Sequence, residues 1–138
     1  MSHVKILIVD DESCVRMGTR LTLVKDKAYK VVGEAANGTD GLELVAQHKP
    51  DLVTLDVQMP GISMETFVED ALRIHPELKI LVVSSLEDQL IAKRIEALPV
   101  SGYLVKAEAL EYLSEAVGTV LQGQTWFSPS IASKMRLS

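Results

Sequence analysis

Five short apolar runs constrain this chain more than any other feature of it. They are Ile6-Leu7-Ile8-Val9, Tyr29-Lys30-Val31-Val32-Gly33, Leu52-Val53-Thr54-Leu55, Leu78 to Val83 and Gly102-Tyr103-Leu104-Val105. Runs of this length, rich in branched side chains and bounded by turn signals, read as buried strands. The stretches between them carry apolar residues at helical spacing. Ser13 can cap a helix to about Val24 with Cys14, Met17, Leu21 and Val24 as its core stripe. Asn37-Gly38 marks a turn, and Thr39 or Asp40 opens a helix through Gln47, with Leu42, Val45 and Ala46 inward. Ser63 begins a helix to about His75 over Met64, Phe67, Val68, Ala71 and Leu72. Glu87 to Ala97 is a largely polar helix. Glu108 to Gln122 is a long one with Leu110, Leu113, Val117 and Val120 on one face. Strands alternating with helices in this way imply an α/β fold, a parallel sheet covered on both faces with right-handed crossovers. The Tyr29–Gly33 strand is expected at an edge.

The bulk properties narrow the function. A chain of 138 residues suits one domain with a core that needs no staples. The net charge of −5 argues against direct nucleic-acid binding by this chain, which would rest on Lys and Arg at phosphates. Cys14 is the sole cysteine, so no intrachain disulfide or Cys-rich zinc cluster can form. No apolar run approaches the ~20 residues of a membrane helix. The N-terminal apolar segment is too short for a secretory signal, so the expected compartment is the cytoplasm.

In a parallel sheet all carboxyl ends point the same way. The residues that close the strands therefore converge on one edge: Asp10 and Asp11 from the first, Asp56 from the third, Ser84 from the fourth and Lys106 from the fifth. Taken singly, each is an ordinary turn, cap or loop residue. Together, three carboxylates repel and need a counter-charge. A hard divalent cation such as magnesium suits oxygen donors, and Lys106 supplies a second positive charge. Open positions on such an ion go to phosphate oxygens, so the site is suited to a phosphoryl group. Asp56 is the candidate oxygen nucleophile. Lys106, the Ser84 hydroxyl and backbone N–H groups near Val57 and Gln58 are placed to neutralise the equatorial oxygens.

These residues resemble the receiver domain of bacterial two-component response regulators. The matching pieces are Ile6 to Glu12, Asp56 followed by Met59-Pro60-Gly61, Ser84, and Gly102 to Lys106, and the resemblance covers about Val4 to Gln122. It implies a doubly wound, flavodoxin-like or CheY-like, five-stranded parallel sheet in the order 2-1-3-4-5. It implies that Asp56 is the phosphoacceptor, charged from a phosphohistidine on a sensor histidine kinase. Asp11, Asp56 and the backbone carbonyl of Gln58 would be direct Mg2+ ligands, with Asp10 acting through water. Lys106 would contact the phosphoryl group, and Ser84 with Tyr103 would form the switch pair.

The ending is similar to one subfamily, the NarL/FixJ type. Gly123 to Pro129 followed by a short helix, with Ser128 as cap and Pro129 first, resembles the connector before a LuxR-type helix-turn-helix output domain. The expected organisation is a receiver over residues 1–122 and the start of a connector over 123–138. The output domain that would bind DNA and control transcription lies outside this chain, either because the chain is cut short, which the ending favours, or because it stands alone. The partner implied is the kinase; a homodimer is left open. Tyr112, Ala116 and Leu121 would then be either an interface or the rim of the core, and core rim is preferred. There are departures from the pattern: Met64-Glu65 where relatives often carry Asp-Gly, a longer Leu98-Pro99-Val100-Ser101 turn, and Ala107 where many carry proline. A rival reading is a magnesium-dependent phosphohydrolase. That chemistry wants an acid two residues past the nucleophile, where this chain has Gln58. A degenerate receiver that only binds protein is disfavoured by the complete acidic set.

Overall fold

A computed structural model describes residues 3–135; residues 1–2 and 136–138, which include the end of the expected connector, lie outside the described residues. The elements run β1 (Val4–Val9), α1 (Ser13–Leu23), β2 (Tyr29–Ala35), α2 (Gly38–His48), β3 (Leu52–Leu55), α3 (Met64–Ile74), β4 (Lys79–Ser84), α4 (Gln89–Glu96) and β5 (Gly102–Val105). A 3-10 turn over Lys106–Glu108 leads into α5 (Ala109–Leu121), then β6 (Trp126–Phe127) and α6 (Pro129–Ala132).

The strands pair in parallel in the order β2-β1-β3-β4-β5-β6. The doubly wound order 2-1-3-4-5 and the edge position of β2 hold. The sheet has six strands, one more than the five expected. β6 was not legible as a strand because two residues, Trp126 and Phe127, carry no periodicity. They pair with Gly102 and Tyr103 on β5.

Strand residues alternate between two apolar layers, as a sheet buried on both faces requires. Leu7, Val9, Val53, Leu55, Ile80, Val82, Tyr103 and Val105 point to the side covered by α2, α3, α4 and α6. Ile6, Leu52, Leu81, Val83 and Leu104 point to the side covered by α1 and α5. α3 buries Met64, Phe67, Val68 and Ala71, with Leu72 half-buried. Ser63 caps it by accepting the Thr66 N–H at 3.1 Å.

Several helix expectations are corrected. Cys14, Met17, Leu21 and Val24 are exposed, and α1 buries Thr19 and Leu23 instead. The helix is turned so that Arg16 and Arg20 reach Glu34 on β2, and Arg16 Nη1 also reaches the Asp10 carbonyl at 2.6 Å. Ser13 is the first helical residue rather than the cap, which is Glu12. α2 starts earlier than expected, at Gly38, with Asn37 accepting the Asp40 N–H. Ala46 is exposed, because the tight inward positions are Gly38 and Gly41. α4 starts later, at Gln89, capped by Asp88 through the Ile91 N–H. On α5 the buried set is Leu113, Ala116, Val117 and Val120, whereas Leu110 in the first turn is 92% exposed. Ala116 is fully buried, and Tyr112 and Leu121 pack partly against the same layer, which is the core-rim arrangement. Ser128 precedes α6, but its hydroxyl makes no helix-cap bond.

Candidate functional site

The carboxyl ends of the strands build one acidic mouth. β1 and β3 pair through Val9 and Leu55, so Asp10 and Asp56, one residue further along each strand, emerge side by side. Both are buried, at 3% and 2% exposure. Asp11 and Glu12 lie on the rim. Carboxylate oxygens of Asp10, Asp11, Glu12 and Asp56 all lie within 4.8 Å of one another.

Lys106 leaves the end of β5 and reaches into this cluster. Its Nζ stands 2.7 Å from Glu12 Oε1, 3.1 Å from Asp10 Oδ2 and 3.4 Å from Asp56 Oδ2. Burial alone would lower the ammonium pKa, but the carboxylates of Glu12, Asp10 and Asp56 outweigh it and hold the group above its ordinary value. For Asp56 the balance falls against the charged form. Burial first, and then the Asp10 charge, push it up to about 6, against the opposing Gln58 N–H and Lys106. The Gln58 N–H donates to Asp56 Oδ1 at 3.2 Å.

One ammonium therefore faces several carboxylates, and the most buried of them is held with difficulty in its charged form. The donor set is all oxygen, of the kind that suits a hard divalent cation. The residues present fit a metal ion held by Asp10, Asp11, Glu12 or Asp56.

Ser84 and Tyr103 are fully buried and converge on the β4–α4 loop. The Ser84 hydroxyl accepts the Leu86 N–H at 3.3 Å, and the Tyr103 hydroxyl donates to the Leu86 carbonyl at 2.7 Å. Burial pushes the Tyr103 phenol up to about 12. The two side chains thus grip opposite polar groups of one residue. Gln58 is exposed, and its side-chain oxygen accepts the Ser85 hydroxyl at 3.1 Å, bridging the loops after β3 and β4. The structure brings Asp10, Asp11, Asp56 and Lys106 together. It places Ser84 and Tyr103 beside them, engaged with the loop.

Two participants were not found from sequence. Glu12, which in sequence only ends the stretch Ile6 to Glu12, is the shortest partner of Lys106. The other is the ion pair in which Glu65, at the start of α3, takes Arg94 of α4 by both oxygens, at 2.7 and 2.8 Å. Only the unusual Met64-Glu65 dipeptide pointed to that place. The peptide bonds among the described residues include no cis form, so Ala107 follows Lys106 in trans.

A doubly wound sheet with a carboxylate cluster and one lysine at its carboxyl edge defines the class of flavodoxin-like folds whose chemistry sits beyond the strand ends. The family model for the response regulator receiver domain matches residues 6–118. The chain is 37% identical over 134 residues to the response regulator GacA of Pseudomonas aeruginosa, covering 97% of this chain and 63% of that protein. It is 29% identical over 134 residues to the transcriptional regulatory protein DegU of Brevibacillus brevis, covering 97% of this chain and 57% of DegU. Among solved structures, it resembles a LuxR-family two-component response regulator from Aurantimonas sp. SI85-9A1, with 28% identity, TM-score 0.89 and coverage of 97% and 96%. The isolated receiver domain of RcsB from Salmonella enterica serovar Typhimurium shares the fold, with 22% identity, TM-score 0.89 and coverage of 98% and 100%. The chain belongs to the response regulator receiver domain family. It spans less than two thirds of the length of the GacA and DegU relatives.

Proposed function

We propose that this chain is a phosphoacceptor switch in which Asp56 takes a phosphoryl group from a phosphohistidine on a sensor histidine kinase. The observation that carries the reading is the Lys106 ammonium, held within 3.4 Å of Asp56 and 3.1 Å of Asp10 at the buried mouth of the sheet. An Asp56 carboxylate oxygen attacks phosphorus, the bond to the donor nitrogen breaks, and the electron pair leaves with the imidazole. Lys106 neutralises one equatorial oxygen, and the backbone N–H groups after Asp56 are placed for another. Asp11, Asp56 and the Gln58 carbonyl, with Asp10 through water, would hold Mg2+, which would supply charge neutralisation there. Ser84 turns its hydroxyl toward the phosphoryl group and the Leu86 loop follows, against a Tyr103 ring that already lies in the core.

The wider reading follows from the relatives. Residues 1–122 act as the receiver, and 123–138 begin a connector to a DNA-binding output domain that controls transcription in the cytoplasm. The only catalysis is of the chain's own phosphorylation and dephosphorylation. Ala116 is fully buried and Tyr112 and Leu121 lie half-buried at the rim of the same layer, so they are not proposed as a homodimer surface. Gln58 in place of an acid disfavours the phosphohydrolase reading. Acetyl phosphate with magnesium should add a single phosphoryl group by intact mass, and magnesium removal by chelation should prevent it. Multiple turnover of a generic phosphate ester would favour the hydrolase instead.

A further inference from the structure

The C-terminal segment, residues 126–135, is built into the receiver fold at two separate places. Its first part extends the sheet: β6 lies parallel on β5, and the Ser128 N–H donates to the Tyr103 carbonyl at 2.9 Å. The Ser128 side chain is fully buried, and its hydroxyl accepts the Val105 N–H at 2.9 Å, one residue before Lys106. Ile131 follows, fully buried in the apolar layer that holds Ile91, Ala92 and Tyr103. The second part ends at the start of α4. Lys134 donates its ammonium to the Glu87 carbonyl, and its own carbonyl accepts from Gln89 Nε2 at 3.0 Å.

That second anchor adjoins the switch pair. Glu87 follows Leu86, whose N–H is held by Ser84 and whose carbonyl is held by Tyr103. A continuous line of contacts therefore runs Ser84, Leu86, Glu87, Lys134. We propose that residues 126–135 form a strap whose far end, 131–135, is gripped or released according to the state of Asp56. This rests on the reading of Asp56 and Ser84 given above. The Ser84–Leu86 bond is already long at 3.3 Å. Turning the hydroxyl toward a phosphoryl group on Asp56 breaks it. The backbone at Leu86 and Glu87 then re-forms, and the Glu87 carbonyl leaves Lys134. The β6 end stays, because its bonds are to β5. Coupling is reciprocal, so freeing the strap end favours the phosphorylated arrangement.

Hydrogen exchange on the whole chain tests this. The amides of Ile131, Ala132, Ser133, Lys134 and Met135 all donate within the strap and report its order. Ser84→Ala, with no phosphoryl donor present, should speed their exchange about fivefold while the amides of β1 and β3 stay unchanged. Wild-type protein phosphorylated with acetyl phosphate and magnesium should show the same rise. Lys134→Ala should show it too, and should lower the acetyl phosphate concentration for half-phosphorylation about threefold. Unchanged protection of 131–135 in Ser84→Ala overturns the strap whether or not the protein takes a phosphoryl group. So does unchanged protection in wild-type protein that intact mass shows to be fully phosphorylated. Absence of any mass addition would count against the phosphoacceptor reading alone, leaving the Ser84→Ala result to decide the strap.

Discussion

Asp56 is held in the folded protein with a pKa near 6, against 3.8 ordinarily, by burial and by Asp10. Between those values the folded state binds more protons than the unfolded one. Metal-free stability therefore falls as pH rises from about 4 to about 6, and stays low above that range. Asp56→Asn should abolish that slope and gain roughly 1–2 kcal/mol at pH 7, less than the pKa difference alone because it also removes the charge facing Lys106. Urea denaturation in chelator across this range checks both the slope and the gain. Magnesium should restore stability to the wild type by binding the folded state. The strand-exit residues Asp10, Asp11, Asp56 and Lys106 were legible in sequence because a parallel sheet sends every carboxyl end to one edge. Glu12 was not, because its partner Lys106 is 94 residues away and only packing brings them together.

Among the elements, α1 departs most from its sequence pattern. Its apolar residues 14, 17, 21 and 24 follow helical spacing, yet the helix buries Thr19 and Leu23 and turns Arg16 and Arg20 toward Glu34. Met17→Ser or Leu21→Ser should then change stability by less than about 0.5 kcal/mol, whereas Leu23→Ala should cost about 2–4 kcal/mol. Thermal or urea unfolding of the three variants separates the two faces. β6 depends on a missing side chain on its neighbour. A Cβ on Gly102 would stand 2.3 Å from the Trp126 carbonyl oxygen. Gly102→Ala should lift β6 from the sheet. Trp126 fluorescence would then shift toward that of exposed indole, with a loss of about 2 kcal/mol. Trp126 pairs at the start of β5, opposite the Lys106 end, so magnesium alone should leave its fluorescence unchanged. The Glu65–Arg94 fork ties the helix after the acceptor loop to α4. Both groups are part-exposed, so a double-mutant cycle should give only about 0.5–1 kcal/mol of coupling.

The whole molecule is two apolar layers on a sheet whose open edge carries the chemistry. The fold class and the strand order of the first five strands were readable because apolar runs and helical stretches alternate without interruption. The sixth strand and the strap were not. Their signals are single contacts, such as Ser128 on Val105 and Lys134 on Glu87, made by residues with ordinary helix-cap and surface chemistry. Among four carboxylates within 4.8 Å, Asp56 alone is proposed as the acceptor. Protein treated with acetyl phosphate and magnesium, then fragmented and sequenced by tandem mass spectrometry, locates the group. The phosphoryl group is expected on Asp56 alone, with no addition to the Asp56→Asn variant. A phosphoryl group on Asp10, Asp11 or Glu12, or one that survives Asp56→Asn, would contradict it.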